Sequence, residues 1–102
     1  MINEKFTARL NELNACQTTE EVANLLRRDG IKGEKDPLKS TCSSCVIAKD
    51  LRRFMPRCEV GCDTIYPMGS SNYGEVISSV NLITFIREWD EGKYPDLVET
   101  NL

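Results

Sequence analysis

Apolar residues recur with helical spacing in four segments of the chain, at positions i, i+3 or i+4, and i+7. The residues that this spacing places on buried faces are Phe6, Leu10 and Leu13; Val22, Leu25 and Leu26; Ile47, Leu51 and Phe54; and Leu82, Phe85, Ile86 and Trp89. Thr18 and Glu21 form a capping box before the second helix, and Gly30 ends that helix. Ser40 or Thr41 is the expected cap of the third. The pattern predicts three helices in the N-terminal part and one near the C-terminus.

The period of the pattern changes after the third helix. Cys58, Val60 and Cys62 alternate with polar residues, and this two-residue period continues to residue 66, as in a half-buried strand. The segment MGSSNYG is typical of a turn and GEVISS of a second strand, so residues 58–78 are predicted to form a hairpin. The predicted fold class is therefore α+β in the order α-α-α-β-β-α, with the tail KYPDLV folded back on one small core.

Length and composition predict a single folded domain over residues 1–102. The hydrophobic fraction of 40%, the charged fraction of 28% and the net charge of −3 are ordinary for a globular protein. No apolar run approaches the ~20 residues that span a bilayer. The charged N-terminal segment MINEKFTARLNEL also lacks the apolar stretch of a signal peptide. We therefore predict a cytoplasmic protein with no membrane partner.

Four of the five cysteines lie in TCSSCVIAKDLRRFMPRCEVGC, with the spacing C-x2-C-x12-C-x3-C. Two such pairs about a dozen residues apart are typical of structural zinc sites. On a strand, however, Cys58 and Cys62 would be about 13 Å apart at ~3.3 Å per residue, too far to share one metal unless the chain turns between them. We therefore predict buried apolar thiols and no cofactor. The alternative is a structural zinc bound by Cys42, Cys45, Cys58 and Cys62.

Nucleophilic chemistry has little support in the sequence. The chain contains no histidine, which excludes Ser-His and Cys-His pairs and imidazole metal ligands. A C-x-x-C motif at a helix start lowers a thiol pKa, so a thiol redox protein that uses Cys42 or Cys45 is a second alternative. The expected motif of that class follows a strand, and residues 31–41 show no strand pattern. The sequence therefore predicts that the protein is not an enzyme.

Charge is distributed unevenly along the chain. Residues 41–57 carry four cations against one carboxylate, a local charge of +3, whereas residues 58–102 carry −6. The four cations, here called the basic set, are Lys49, Arg52, Arg53 and Arg57. The first three lie at i, i+3 and i+4 on one helix face, which predicts a contact surface for a protein partner. Nucleic acid is not the expected partner, because no arginines interleave with aromatic residues and no helix-turn-helix pattern is present.

Three segments, TTEEVANLLRRDGIKG, CVIAKDLRR and FIREWDEGKYPDL, resemble small uncharacterised proteins of actinobacteria and their phages. Cys45 corresponds to the cysteine of that family, with Val46 in place of its proline. Cys42, Cys58 and Cys62 have no counterpart there. The resemblance implies no established activity and contains no catalytic signature. Together with the charge pattern, it leads us to predict a small non-enzymatic protein-binding or regulatory module, phage-encoded and acting on a host protein.

Overall fold

The computed structural model describes residues 4–34, 44–61, 63–69, 74–77 and 79–99. Its elements are, in chain order, α1 (Glu4–Asn14), α2 (Thr19–Arg28), α3 (Val46–Leu51), β1 (Glu59–Val60), β2 (Thr64–Tyr66), β3 (Glu75–Val76), α4 (Val80–Asp90) and a 3-10 helix (Pro95–Leu97). The predicted α+β class and the order α-α-α-β-β-α are confirmed, with three short strands in the region predicted to hold two. Within the described parts, no helix has the length and apolar character needed to cross a membrane.

The starts of α2 and α4 follow from their capping residues. Thr18 Oγ1 accepts a hydrogen bond from the backbone N–H of Glu21 at 3.1 Å, as the sequence predicted. The Glu21 carboxylate reaches one residue further back than expected and accepts from the Gln17 N–H at 2.6 Å. Ser79 caps α4, because its Oγ accepts from the Leu82 N–H at 3.2 Å. Both helices therefore begin where a side-chain oxygen replaces a missing backbone acceptor.

Helix α3 begins at Val46 and is capped by a cysteine. Cys45 is the N-cap residue, and its Sγ accepts from the Ala48 N–H at 3.4 Å. Its backbone is extended, with φ −64° and ψ 161°, so helical geometry begins only at Val46. The expected caps, Ser40 and Thr41, lie outside the described residues. A thiol therefore caps α3, and the predicted caps at Ser40 or Thr41 stay a prediction.

The single strand predicted over residues 58–66 is wrong, because this segment folds back on itself as β1 and β2. The paired residues of the two antiparallel strands are Glu59 with Tyr66 and Val60 with Ile65. The Gly61 N–H donates to the Thr64 carbonyl at 2.8 Å and closes the turn. β2 also pairs antiparallel with β3, which gives a three-stranded sheet in the order β1-β2-β3. Alternation alone does not separate one strand from two short ones, since both bury every second residue.

The core is formed by the apolar faces that the periodicity predicted. Helix α2 packs against α4, and α1 contacts both α3 and α4. The tail closes over α4, as predicted: the Trp89 Nε1–H donates to the Leu97 carbonyl at 3.1 Å, and the rings of Phe85 and Tyr94 lie 4.9 Å apart. The tail is thereby fixed beside the segment that follows α2, and this arrangement forms the site described next.

Candidate functional site

Two members of the basic set are held by carboxylates on and beside α3. Lys49 Nζ donates to Glu34 Oε1 at 3.0 Å. Arg53 donates from Nη2 to Asp50 Oδ1 at 2.6 Å and from Nε to the Asp50 carbonyl at 3.1 Å. Its guanidinium carbon also lies 4.9 Å from the centre of the Phe54 ring. Both cations remain more than one-third exposed, at 37% and 38%. Hydrogen bonds therefore hold both side chains in place, while their charged groups remain accessible to solvent.

The other two members of the basic set behave differently. Arg52 is half-buried, and its Nε donates to the Cys58 carbonyl at 2.7 Å, which ties α3 to the start of the sheet. Arg57 is exposed and has no side-chain partner among the described residues. The basic set is thus not one uniform face. Arg52 supports the fold, whereas Lys49, Arg53 and Arg57 present charge to solvent.

Lys49 and Arg53 line a cleft between α3 and the segment after α2. The cleft has a volume of about 260 Å³, and its lining residues are Gly30, Ile31, Lys32, Lys49, Arg53 and Glu99. Three cations from two elements therefore converge around one depression, with one carboxylate on its rim. Lys32 makes no hydrogen bond or ion pair with the described residues. We call this depression the cationic cleft.

The backbone after α2 explains why the cleft forms. Gly30 has φ +68°, a left-handed conformation that ends the helix and reverses the chain. Gly33 then pairs with the C-terminal tail: its N–H donates to the Leu97 carbonyl at 2.9 Å, and its carbonyl accepts from the Glu99 N–H at 2.7 Å. These bonds place Lys32 and Glu99 beside each other on one wall. Lys49 and Arg53 form the opposite wall.

A buried ion pair lies under this second wall. Arg9 Nε and Nη2 donate to the two carboxylate oxygens of Asp50, each at 2.8 Å. Arg9 Nη1 also contacts Glu12 at 3.1 Å and Asp29 at 2.9 Å. Asp50 is fully buried and Arg9 is 5% exposed. Because Asp50 also accepts from Arg53, this network fixes the position of the cleft arginine from below.

The network also shifts the pKa of two of its members, Arg9 and Asp29. Burial disfavours the charge of Arg9, but the bonds to Asp50 and Glu12 outweigh that cost and raise the pKa of Arg9. The bond from Arg28 lowers the pKa of Asp29, and the nearby charge of Arg9 adds to the effect. Both groups therefore stay charged at neutral pH, and the ion-pair network beneath the cleft stays intact there.

The cysteines form a different environment. Cys58 is fully buried, and burial raises the pKa of its thiol to about 12. A charge on Cys45 would raise it further. Cys42 and Cys62 lie outside the described residues, so the four-cysteine zinc hypothesis remains a prediction. Within the described ranges, no three cysteine or carboxylate side chains are grouped to hold a metal ion.

Sequence reasoning missed half of this site. Lys32 and Glu99 were not selected, because one lies in a loop, the other in the tail, and 67 residues separate their positions in the printed sequence. The buried pair had a detectable signal. Arg9 interrupts the apolar stripe of α1, and Asp50 lies three residues after the buried Ile47 on α3. A charge on a buried stripe requires a partner, but its spacing does not say which one.

Comparison of the chain with protein-family models, with curated proteins and with solved structures gives no match. The resemblance to small actinobacterial and phage proteins therefore stays a prediction.

Proposed function

We propose that this protein is a small non-enzymatic protein-binding module, and that its contact surface consists of the exposed cations in and after α3 (Lys49, Arg53 and Arg57) and the cationic cleft. One observation carries the proposal: Lys49 and Arg53, selected as partner-binding residues from the sequence, line the same cleft as Lys32. Clustered cations of this kind attract an oppositely charged partner and orient its approach. The partner is therefore a protein with an acidic surface.

Preorganisation supports a binding role for these residues. A flexible lysine or arginine loses side-chain entropy when a partner immobilises it, at a cost of about 0.5–1.5 kcal/mol. Here Glu34 already holds Lys49, and Asp50 already holds Arg53. Both cations nevertheless keep unused N–H donors, since an ammonium group has three and a guanidinium five. Much of this loss of side-chain entropy has therefore already occurred on folding and is not added on binding.

The chemistry of the thiols favours a non-enzymatic role. A nucleophilic or redox cysteine requires a lowered pKa. The pKa of Cys58 is instead raised to about 12. The Cys45 sulfur is a hydrogen-bond acceptor at the start of α3, where it caps the helix. These features support the reading of both residues as structural parts of the core.

A zinc-stabilised domain remains the second candidate, because Cys45 and Cys58 are buried in the same core cluster although 13 positions separate them in the printed sequence. It requires Cys42 and Cys62 to complete a tetrahedral site. Metal analysis of protein purified without chelator tests it. Close to one zinc ion per chain would establish the site, and only a small fraction of one would rule it out.

We also propose the cytoplasm as the location, because Cys16 and Cys58 are free thiols, as is usual in a reducing compartment. Thiol titration of protein isolated from its native host tests this. Fully reduced protein is expected, and a preparation with oxidised thiols would overturn the assignment.

The main experiment is quantitative affinity purification from the native host with charge-reversed baits. The double variant Lys49→Glu/Arg57→Glu removes two exposed cations without touching the structural Arg52 or the buried Asp50. The matched control is Arg87→Glu, an exposed cation on α4. We expect one partner to be retained by the wild type and the control and lost by the double variant. A partner set that is identical for all three baits, with equal thermal stability, contradicts the proposal.

A further inference from the structure

Several hydrogen-bond donors that line the cationic cleft are not used within the described part of the fold. Lys32 makes no hydrogen bond or ion pair with the described residues, although its charge acts on the nearby Asp96 carboxylate, and Lys49 uses one of its three donors for Glu34. Arg53 uses Nε and one Nη2–H for Asp50, which leaves its Nη1 donors unused. These leftover groups come from opposite walls of one depression. An acceptor placed between the walls would therefore receive several charge-assisted hydrogen bonds at once.

The size of the cleft limits what fits. Pockets for drug-sized ligands have volumes of about 300–1,000 Å³. The cationic cleft, at about 260 Å³, is smaller than these. It is suited to one or two side chains of a partner rather than to a whole nucleotide or cofactor. None of its described lining residues is aromatic, so it offers no surface on which a nucleic-acid base could stack.

The charge balance selects among anions. Glu99 lies on the rim, and Glu34 and Asp50 already offset part of the charge of Lys49 and Arg53. The remaining excess of positive charge is small. A small excess of positive charge is balanced more closely by a singly charged carboxylate than by a doubly charged phosphate. The cleft is therefore better matched to carboxylates.

From these observations we infer that the cationic cleft binds an acidic segment of a protein partner through its side-chain carboxylates, with Lys32, Lys49 and Arg53 as the donors. This inference rests on the proposed function and names the chemistry of the partner. Glu99 opposes binding, because its carboxylate lines the cleft and repels an incoming carboxylate. The variants Lys32→Glu and Glu99→Gln should thus act in opposite directions.

The test uses a synthetic peptide in which glutamates alternate with serines, with both ends blocked, and a matched peptide with glutamine in place of glutamate. Binding to the full chain is measured by fluorescence anisotropy at two salt concentrations. We expect the glutamate peptide to bind, and the glutamine peptide to bind at least about tenfold more weakly, since each ion pair adds a factor of a few. Added salt should weaken the glutamate complex.

The variants then assign the binding to the cleft. Lys32→Glu should weaken binding of the glutamate peptide about fivefold or more, and Glu99→Gln should strengthen it about threefold. Arg87→Glu, away from the cleft, should leave it unchanged. Because Lys32 and Glu99 side chains make no internal bonds with described residues, all three variants are expected to keep the wild-type thermal stability. Equal binding by wild type and Lys32→Glu would overturn the inference.

Two further probes test whether the cleft prefers phosphate groups to carboxylates. Inorganic pyrophosphate and a single-stranded oligonucleotide are titrated under the same conditions. Tighter binding of either probe than of the glutamate peptide contradicts the carboxylate assignment.

The outcome also distinguishes this inference from the proposed function. If the native partner is lost with Lys49→Glu/Arg57→Glu but unaffected by Lys32→Glu, the module binds through α3 and the cleft assignment is wrong. If the peptide results hold and no host protein depends on the cations of α3, the cleft assignment stands and the proposed function is wrong.

Discussion

Arg9 and Asp50 form a bidentate ion pair across 41 residues of sequence, with both N–O distances at 2.8 Å. Asp50 is fully buried, and the pair joins α1 to α3. Asp50 accepts a third hydrogen bond from Arg53, a residue of the cationic cleft. The ion pair in the core and the proposed binding site therefore share one carboxylate, that of Asp50.

Replacing Asp50 by asparagine should destabilise the protein strongly. The amide keeps the shape of the side chain but leaves the buried Arg9 charge with only Glu12 and Asp29 as counter-ions, so the loss of unfolding free energy should be about 3 kcal/mol, the lower end of the cost of breaking a buried pair. Urea denaturation measures the loss. The matched control is Asp96→Asn, which removes an exposed carboxylate bonded to Arg27 and should cost less than about 1 kcal/mol. Equal losses for both variants would contradict a special role for the buried pair.

Removing both charges should restore part of that stability. In Arg9→Met/Asp50→Leu no buried charge is left unpaired, and apolar side chains of similar size fill the space. We expect the double variant to unfold at a higher urea concentration than Asp50→Asn. Because Arg53 loses its acceptor in the double variant, binding of the glutamate peptide should still weaken. A double variant that is less stable than Asp50→Asn would show that packing, rather than the charge, dominates at this position.

The helices could be predicted from the sequence because their apolar stripes and caps are local features. Phe6 and Leu13 lie on one face within a single helix, and Ser79 caps the helix that it precedes. The strand error arose because β1 and β2 each bury every second residue, and the shift from Val60 to Ile65 that marks the turn was not recognised. The cleft could not be predicted, since it depends on the tail residue Glu99 lying beside the loop after α2. Such long-range contacts are not encoded in local spacing.

Gly33 should tolerate no side chain. A Cβ atom there would collide with the backbone nitrogen of Val46 and lie 2.6 Å from Cζ2 of Trp89. Neither group can move without shifting α3 or the core tryptophan, so Gly33→Ala should cost about 3 kcal/mol. Thermal or urea unfolding measures this. The close packing of the loop against α3 also positions Lys32 across the cleft from Lys49. Peptide binding should therefore weaken in Gly33→Ala.

Two other glycines serve as controls for this effect. At Gly30 a Cβ would meet nothing within 4 Å, but the φ of +68° makes Gly30→Ala cost about 1–2 kcal/mol through backbone strain alone. At Gly61 the nearest atoms are 3.5 Å or more away, and Gly61→Ala should change stability by less than about 1 kcal/mol. A loss at Gly33 no larger than that at Gly61 would mean that the loop is not packed against α3 as described.

The Cys58 thiol should react far more slowly than an ordinary cysteine. Burial raises its pKa from 9.0 to about 12, so at pH 8 its thiolate fraction is lower by about a thousandfold. Iodoacetamide labelling followed by mass spectrometry measures the rate for each cysteine, with glutathione as the reference thiol. The half-buried Cys16 should react faster than Cys58. A rate for Cys58 within tenfold of glutathione would contradict its burial and reopen the thiol redox alternative.

The same pKa makes stability depend on alkaline pH. The unfolded chain releases the Cys58 proton near pH 9, whereas the folded protein keeps it until about pH 12, so rising pH favours unfolding between these values. The contribution of Cys58 is complete below pH 9 and falls by about 1.4 kcal/mol per pH unit up to about pH 12. Urea denaturation at pH 8, 9 and 10 measures the slope.

Tyrosines and lysines also titrate in this range, so Cys58→Ala is the control that isolates the contribution of the thiol. The variant starts from lower stability because of the missing sulfur, but its slope should be smaller by the Cys58 share. Identical slopes for wild type and variant would show that the folded protein does not hold this proton.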